Sequence, residues 1–274
     1  MKNLILVIFL ILECLVQGYS QDSGIKVKLG YLTANFSNPS YVYGKVKSMT
    51  QITYSAKLVN GNVVKGDELK DSVVMSTVGI QHITFNFNEA GEMTSATCYH
   101  DNGTPYYLSI VDNGNGKINK VYYIYKDTLR RYDKLIYDNI GLKEIQFCIP
   151  QNDKPYSKVV HFCHKDGNLI KSESYNSTGV KVSESEFTRD NLGRILLATY
   201  KNREGKITSK VEYRYGTSWE PIAQDTKISN GQEVDIKGRR EPVYDAKGNL
   251  IKLIRYKNDE PLNITERTYK FYDN

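Results

Sequence analysis

The sequence has little of what usually announces a function. It holds four cysteines in 274 residues. Cys14 lies in an amino-terminal segment expected to be removed. Cys98, Cys148 and Cys163 remain, and an odd number excludes a closed disulfide framework. No C-x-x-C, G-x-S-x-G or H-E-x-x-H pattern occurs, nor a phosphate loop, so no familiar metal, hydrolase or nucleotide signature is present. After Leu12 there is no apolar run long enough to span a membrane, and no long stretch has a helical period. Charge of one sign is only mildly in excess. The 37 basic and 31 acidic residues give a net +6, dispersed along the chain. Such a balance reads as a solvated surface, and nucleic acid is not an expected partner. Tryptophan occurs once and phenylalanine eight times, against 22 tyrosines and 20 glycines.

The amino terminus reads as a secretory signal over residues 1–20. Lys2 supplies the positive start, Leu4 to Leu12 the apolar run, and Gly18-Tyr19-Ser20 the small residues for cleavage after Ser20. A lipoprotein is not expected, because Glu13 precedes Cys14 where a small residue is needed. The mature chain is expected to be secreted or periplasmic, at the cell envelope, and not membrane-spanning.

Tyrosine suits half-buried strands, and the glycines are periodic. Gly91, Gly116, Gly141, Gly167 and Gly193 lie 25, 25, 26 and 26 residues apart. A second series interleaves through Gly103, Thr128-Leu129, Asn152-Asp153, Gly179 and Gly205. The spacing loosens between Gly205 and Gly248. Between the turns lie strand-length segments such as "GEMTSATCY", "GKINKVYYIY", "GNLIKSESY" and "GNLIKLIRY", rich in β-branched and aromatic residues. The fold class is therefore all-β: an antiparallel meander of two-strand units of about 25 residues. Residues 21–78 are less regular and read as a β-rich cap over the first sheet edge, with 79–274 as the array. Twist makes so long a sheet curl, split or roll up; a curled or spiral sheet is the expectation. Its last edge, near Tyr272, would then be free to pair end to end with another copy.

"VYDAKGNLI" (Val243 to Ile251), "FTRDNLGRIL" (Phe187 to Leu196) and "FCHKDGNLI" (Phe162 to Ile170) resemble the YD-repeat motif of RHS-type proteins. The chain is similar to small secreted bacterial proteins built from such repeats. In these, a segment like "GKVKSMTQITYSAK" (Gly44 to Lys57) stands near the start, and one like "GNLIKLIRYKNDEPLNITER" (Gly248 to Arg267) near the end. Leu250 stands where the family usually has Trp. The resemblance spans roughly Gly44 to Tyr272 and implies a β-repeat fold with no established activity. Large RHS proteins use the repeat as a shell around a toxin. This sequence shows no cargo domain after the array and is too short to enclose one, so that role is not expected here.

Three places invite chemistry. The basic, aromatic stretch Lys120 to Tyr137 offers Tyr122, Tyr123, Tyr125, Arg130, Arg131 and Tyr132 as a binding surface for sugars or a protein. In "FCIP…VVHFCH", pairing Phe147 with Phe162 sets Cys148 opposite His161 and diagonal to Cys163. That grouping reads as a disulfide, as a weak zinc cluster lacking a fourth ligand, or as free buried thiols, the last being favoured. "VDNGNGK" (Val111 to Lys117) has Gly114 and Gly116 where a calcium loop needs carboxylates, and reads as a turn. Carboxylates such as Glu184, Glu186 and Glu212 are too many and too scattered to define a catalytic pair. No cofactor is expected. The expected function is non-catalytic binding of a protein or glycan at the cell envelope. The alternatives are a carbohydrate-active hydrolase or a purely structural envelope component.

Overall fold

The computed structural model describes residues 27–28, 41–69, 82–99, 103–114, 117–125, 127–151, 154–165 and 167–273. The expected signal segment, residues 1–20, and the turn positions Gly116 and Asn152-Asp153 lie outside these residues. The described residues form strands and turns without a helix. Strands β1 (Val27–Lys28) and β2 (Tyr41–Val42) pair as a small separate sheet. The main sheet begins with β3 (Val46–Val59), β4 (Asn62–Glu68), β5 (His82–Phe87), β6 (Met93–Tyr99), β7 (Pro105–Gly114) and β8 (Lys117–Tyr125). It continues with β9 (Thr128–Tyr137), β10 (Leu142–Cys148), β11 (Pro155–Cys163), β12 (Leu169–Asn176), β13 (Lys181–Arg189) and β14 (Ile195–Asn202). It ends with β15 (Ile207–Tyr215), β16 (Pro221–Ser229), β17 (Gln232–Ile236), β18 (Gly238–Tyr244), β19 (Leu250–Lys257) and β20 (Glu260–Phe271).

Two-residue alternation makes the strands. In β5, Ile83, Phe85 and Phe87 are buried on one face, while His82, Thr84 and Asn86 stay half-exposed on the other. Asp and Asn fold the turns. The Asp190 carboxylate accepts from the amides of Leu192 and Arg194, and Gly193 donates back to the Asp190 carbonyl. Asp245 and Gly248 repeat that arrangement. Gly193 and Gly248 have φ of 82° and 89°, so a side chain at either would be strained.

The sheet is antiparallel throughout and closes on itself as a barrel, which corrects the expectation of a curled or spiral sheet. Sixteen strands make the ring; β4 and β17 are side hairpins, bypassed where β3 also meets β5 and β16 also meets β18. Closure is the work of β3, which at 14 residues is long enough to serve two neighbours. It pairs β20 from Ser55↔Asn263 to Val46↔Phe271, and β5 from Ser48↔Asn86 to Ile52↔His82. Residues 46–59, assigned to the cap from sequence, are thus part of the ring. The edge near Tyr272 is not free: its amide donates to the Lys45 carbonyl at 2.9 Å and its hydroxyl to the Phe87 carbonyl at 2.6 Å. Pairing every edge removes the exposed amides that a long open sheet would present.

The inward faces carry two apolar clusters. One runs across β3 and β5 to β11 and holds Met49, Ile83, Phe85, Ile145 and Phe147. The other, with Leu169, Phe187, Ile195, Ala198, Val211 and Tyr213, runs across β12 to β15. Each fully buried Phe or Ile contributes about 1.5–3 kcal/mol. The outward faces carry charge ladders instead. Glu144 meets Lys158 at 3.0 Å, and Glu184 meets Lys171 at 3.1 Å, Lys181 at 2.9 Å and Lys201 at 3.3 Å. These contacts, Lys181 first, hold the Glu184 carboxyl down at about 2.

Candidate functional site

The six residues proposed from sequence as one surface are divided between the two faces of the sheet. The register pairs Tyr122 with Tyr132 and Tyr123 with Arg131. Tyr123 and Arg131 point inward. The Tyr123 hydroxyl donates to Asp133 Oδ2 at 2.9 Å. Arg131 Nε lies 3.1 Å from Asp133 Oδ1, and its guanidinium stacks 4.3 Å from the Tyr123 ring centre. Asp133 is fully buried, so this trio is an interior ion pair. Tyr132 points outward but is only 7% exposed. Lys120 and Lys134 cover its ring at 5.9 and 5.7 Å, and Tyr122 packs 6.0 Å away. Tyr125 is half-buried beside the exposed Arg130, 6.0 Å from its ring. No shared aromatic platform results.

Cys148, His161 and Cys163 do not converge either. The register runs Ile145↔Val159, Phe147↔Ser157 and Cys148↔Pro155, not Phe147 with Phe162. Pro155 has no amide to donate and starts β11, so the chain turns directly after Cys148. Cys163, eight residues further along β11, is then about 26 Å away. Cys98, Cys148 and Cys163 form no disulfide, and burial pushes the Cys148 thiol up. Cys163 Sγ instead points to the Leu142 carbonyl at 4.0 Å. His161 faces the interior opposite Ser172, with neither ring nitrogen hydrogen-bonded. Burial holds it down at about 4, so the imidazole is neutral at pH 7. Among the described residues no three His, Cys, Asp or Glu side chains are grouped for a metal.

The arrangement with chemical consequence lies where β18, β19, β20 and β3 meet. Arg240 pairs with Arg255 across β18 and β19, Arg255 with Asn263 across β19 and β20, and Arg267 with Gln51 across β20 and β3. Opposite residues share a face, so three arginines are brought to one inner wall. Arg255 Nη1 donates to Asn263 Oδ1 at 3.3 Å and to Thr265 Oγ1 at 3.1 Å. Thr265 in turn shares a hydrogen bond with Thr53 at 3.1 Å. Arg267 Nε donates to Gln51 Oε1 at 3.0 Å. Arg240 donates to Glu220 Oε1 at 2.7 Å and to Gln224 Oε1. Arg240 and Arg267 are each 8% exposed, and Asn263 is fully buried.

Two donors on this wall have no acceptor: Arg267 Nη1 and Asn263 Nδ2. Glu220 is the one carboxylate acting on Arg255, against Arg240 and Arg267. Burial first, then those two guanidiniums, pull Arg255 down to about 9, while Glu220 opposes them. At about 9, Arg255 stays charged at neutral pH, so the wall gathers guanidiniums around one carboxylate and holds unfilled donors. Both are costly when buried, and an anion relieves both.

A crevice of about 440 Å³ opens on the other, outer face of the sheet, lined by Arg214, Ala223, Asp225, Arg239 and Glu241. It lies where β16 and β18 share a single registered pair, Ala223↔Arg239, and Arg240 lines it. Two of its three acids, Asp225 and Glu241, have cationic partners; Asp259 is the third. Asp225 meets Arg214 at 3.1 Å and Lys237 at 3.8 Å, and Glu241 pairs with Arg239.

The sequence reading passed over these arginines. The signal was present in the alternation: Arg255 stands two residues after the buried Leu253, and Arg267 two after the buried Thr265. Period two therefore turned both inward.

No family model matches the chain, and no curated protein matches it. Among solved structures it is similar to a porin-like protein from Bacteroides uniformis, at 9% identity and a TM-score of 0.37, covering 82% of this chain and 96% of that one. A porin-like protein from Bacteroides vulgatus matches at 11% identity and a TM-score of 0.39, covering 82% and 98%. TcdB2-TccC3 without its hypervariable C-terminal region matches at 13% identity and a TM-score of 0.32, over 90% of this chain and 12% of that one. Likeness this distant assigns neither a function nor a residue role.

Proposed function

We propose that this chain is an exported, non-catalytic binding barrel of the cell envelope, built from YD-like repeats, and that it binds an anionic ligand on its inner arginine wall. The observation that carries the reading is the inward trio of the buried Arg240 and Arg267 and the half-buried Arg255, with Glu220 as carboxylate partner and two donors left open. A structural barrel has no use for that arrangement, since apolar residues of like volume stabilise at lower cost. The acidic residues support binding over hydrolysis. Glu173 and Glu184 are tied to lysines on the outer face and held low, Glu173 chiefly by the Tyr175 hydroxyl and Glu184 by Lys181; neither is poised as a general acid. The charged exterior and apolar interior support a barrel that stands in water, because a membrane barrel has the opposite polarity.

Native mass spectrometry of the full chain purified from its own host is the test. The expected result is a retained small-molecule adduct on the wild type that is absent from Arg255→Leu. Identical masses for the two proteins would refute the reading.

A further inference from the structure

The ring is not closed with equal strength all round. β20 and β3 are joined by nine registered pairs, β16 and β18 by Ala223↔Arg239 alone. The sequence prevents more. Continued past that pair, the register would set Pro221 against Glu241 and Pro242 against Glu220. Neither proline has an amide to give, so each removes a donor from the ladder.

Side chains span the gap instead. On the inner face Arg240 donates to Glu220 Oε1 at 2.7 Å and to Gln224 Oε1, both on the β16 side. On the outer face the Gly238 amide donates to Asp225 Oδ1 at 3.3 Å, and Lys237 lies 3.8 Å from Asp225 Oδ2. Arg240 also lines the outer crevice, although its register turns it inward with Arg255. In an unbroken sheet the backbone would separate an inner side chain from an outer cavity. The crevice therefore reaches through the seam as far as Arg240, and that buried guanidinium is the plug.

We infer that the barrel opens at this seam, with Arg240 as the latch. When its guanidinium leaves Glu220 and Gln224, β18 parts from β16 and the crevice becomes a mouth to the inner face. As the entry for a ligand this rests on the arginine wall being the ligand site; the opening itself does not.

Thiol labelling of the full chain under native conditions tests it. Leu253 is 1% exposed on the inner face of β19, opposite Pro242, and Cys98 is 3% exposed on β6, away from the seam. In Leu253→Cys, the thiol at position 253 is expected to react with maleimide at least tenfold faster than Cys98, each read from its own peptide by mass spectrometry. Glu220→Gln keeps the size of the latch partner and removes its charge. It should raise the rate at position 253 about tenfold and leave that of Cys98 unchanged. Thr265→Cys, close in size and buried on the same inner face, serves where the leucine site does not fold. Fast labelling at position 253 in a protein that carries no native-mass adduct would support the opening and remove only its role as an entry. Equal rates at position 253 and Cys98, or a rate at position 253 that Glu220→Gln leaves unchanged, would overturn the latch.

Discussion

Lowering the pH from 7 to 5 should weaken this barrel through one side chain, His161. Its imidazole is buried on the inner face of β11 without a hydrogen-bond partner, and burial lowers it from 6.5 to about 4. The unfolded chain therefore takes up a proton that the folded chain refuses. The stability that follows from a neutral interior histidine is complete above pH 6.5 and is lost as the pH falls toward 4. A gap of about 2.5 units corresponds to about 3 kcal/mol in full, of which about 2 kcal/mol is gone by pH 5. The carboxylates held below their ordinary values, among them Glu173, Glu184, Asp138, Asp190 and Asp235, lose their contributions at lower pH and leave this window to the histidine. The assay is urea unfolding at pH 7 and pH 5 for the wild type and His161→Leu. The wild type should lose about 2 kcal/mol more than the variant between the two. Equal losses would refute the reasoning, because they would mean that His161 is hydrated or paired when folded.

Asp133→Ala should destabilise by about 3–5 kcal/mol in the same assay, since it leaves the Arg131 guanidinium inside the barrel without its fully buried carboxylate. Asn249→Ala removes three hydrogen bonds, to the Tyr43 amide at 2.6 Å, the Tyr43 carbonyl at 3.2 Å and Asp245 at 3.0 Å. The loss should be about 2–3 kcal/mol, because Asn249 is fully buried and clamps the chain before β3 to the turn after β18. After air oxidation and denaturation, Cys98, Cys148 and Cys163 should all still react with maleimide; a mass lower by two hydrogens would show a disulfide and overturn the β10–β11 register.

The strands were legible because both of their signals are local. Alternation such as Ile83, Phe85, Phe87 needs only a half-buried sheet, and the Asp–Gly turns carry their own hydrogen bonds. Closure was not legible, because it depends on β3 meeting β20 across some 200 residues, and nothing within either strand names the other. The β10–β11 register was misread for a related reason. Period two tells which residues share a face but not how far one strand slides along its neighbour; Pro155 and the turn fix that. The tyrosine surface failed on the same point. Period two sends Tyr122 and Tyr123 to opposite faces, yet sequence does not say that two lysines lie over Tyr132 or that Arg131 turns inward to Asp133.

The arginine wall sits where the regularity breaks, and the two facts are connected. Glycine spacing is even from Gly91 to Gly205 and loosens before Gly248, the stretch that yields β16, the side hairpin β17, and β18. Regular two-strand units give each inner face the same apolar side chains, as Leu169 and Ile195 do after their turns. In the evenly spaced part the inward Arg131 lies beside its own carboxylate, Asp133. A binding site needs a position where one unit differs from the next and where the final strands meet a strand from outside the series. Here β18 lets go of β16 after a single pair, and β20 meets β3. Arg240, Arg255 and Arg267 occupy the inner positions of that departure. Departures from local pattern are where structural economy is expected to yield to function, and the seam that completes the barrel is also the place where three arginines gather on its inner face.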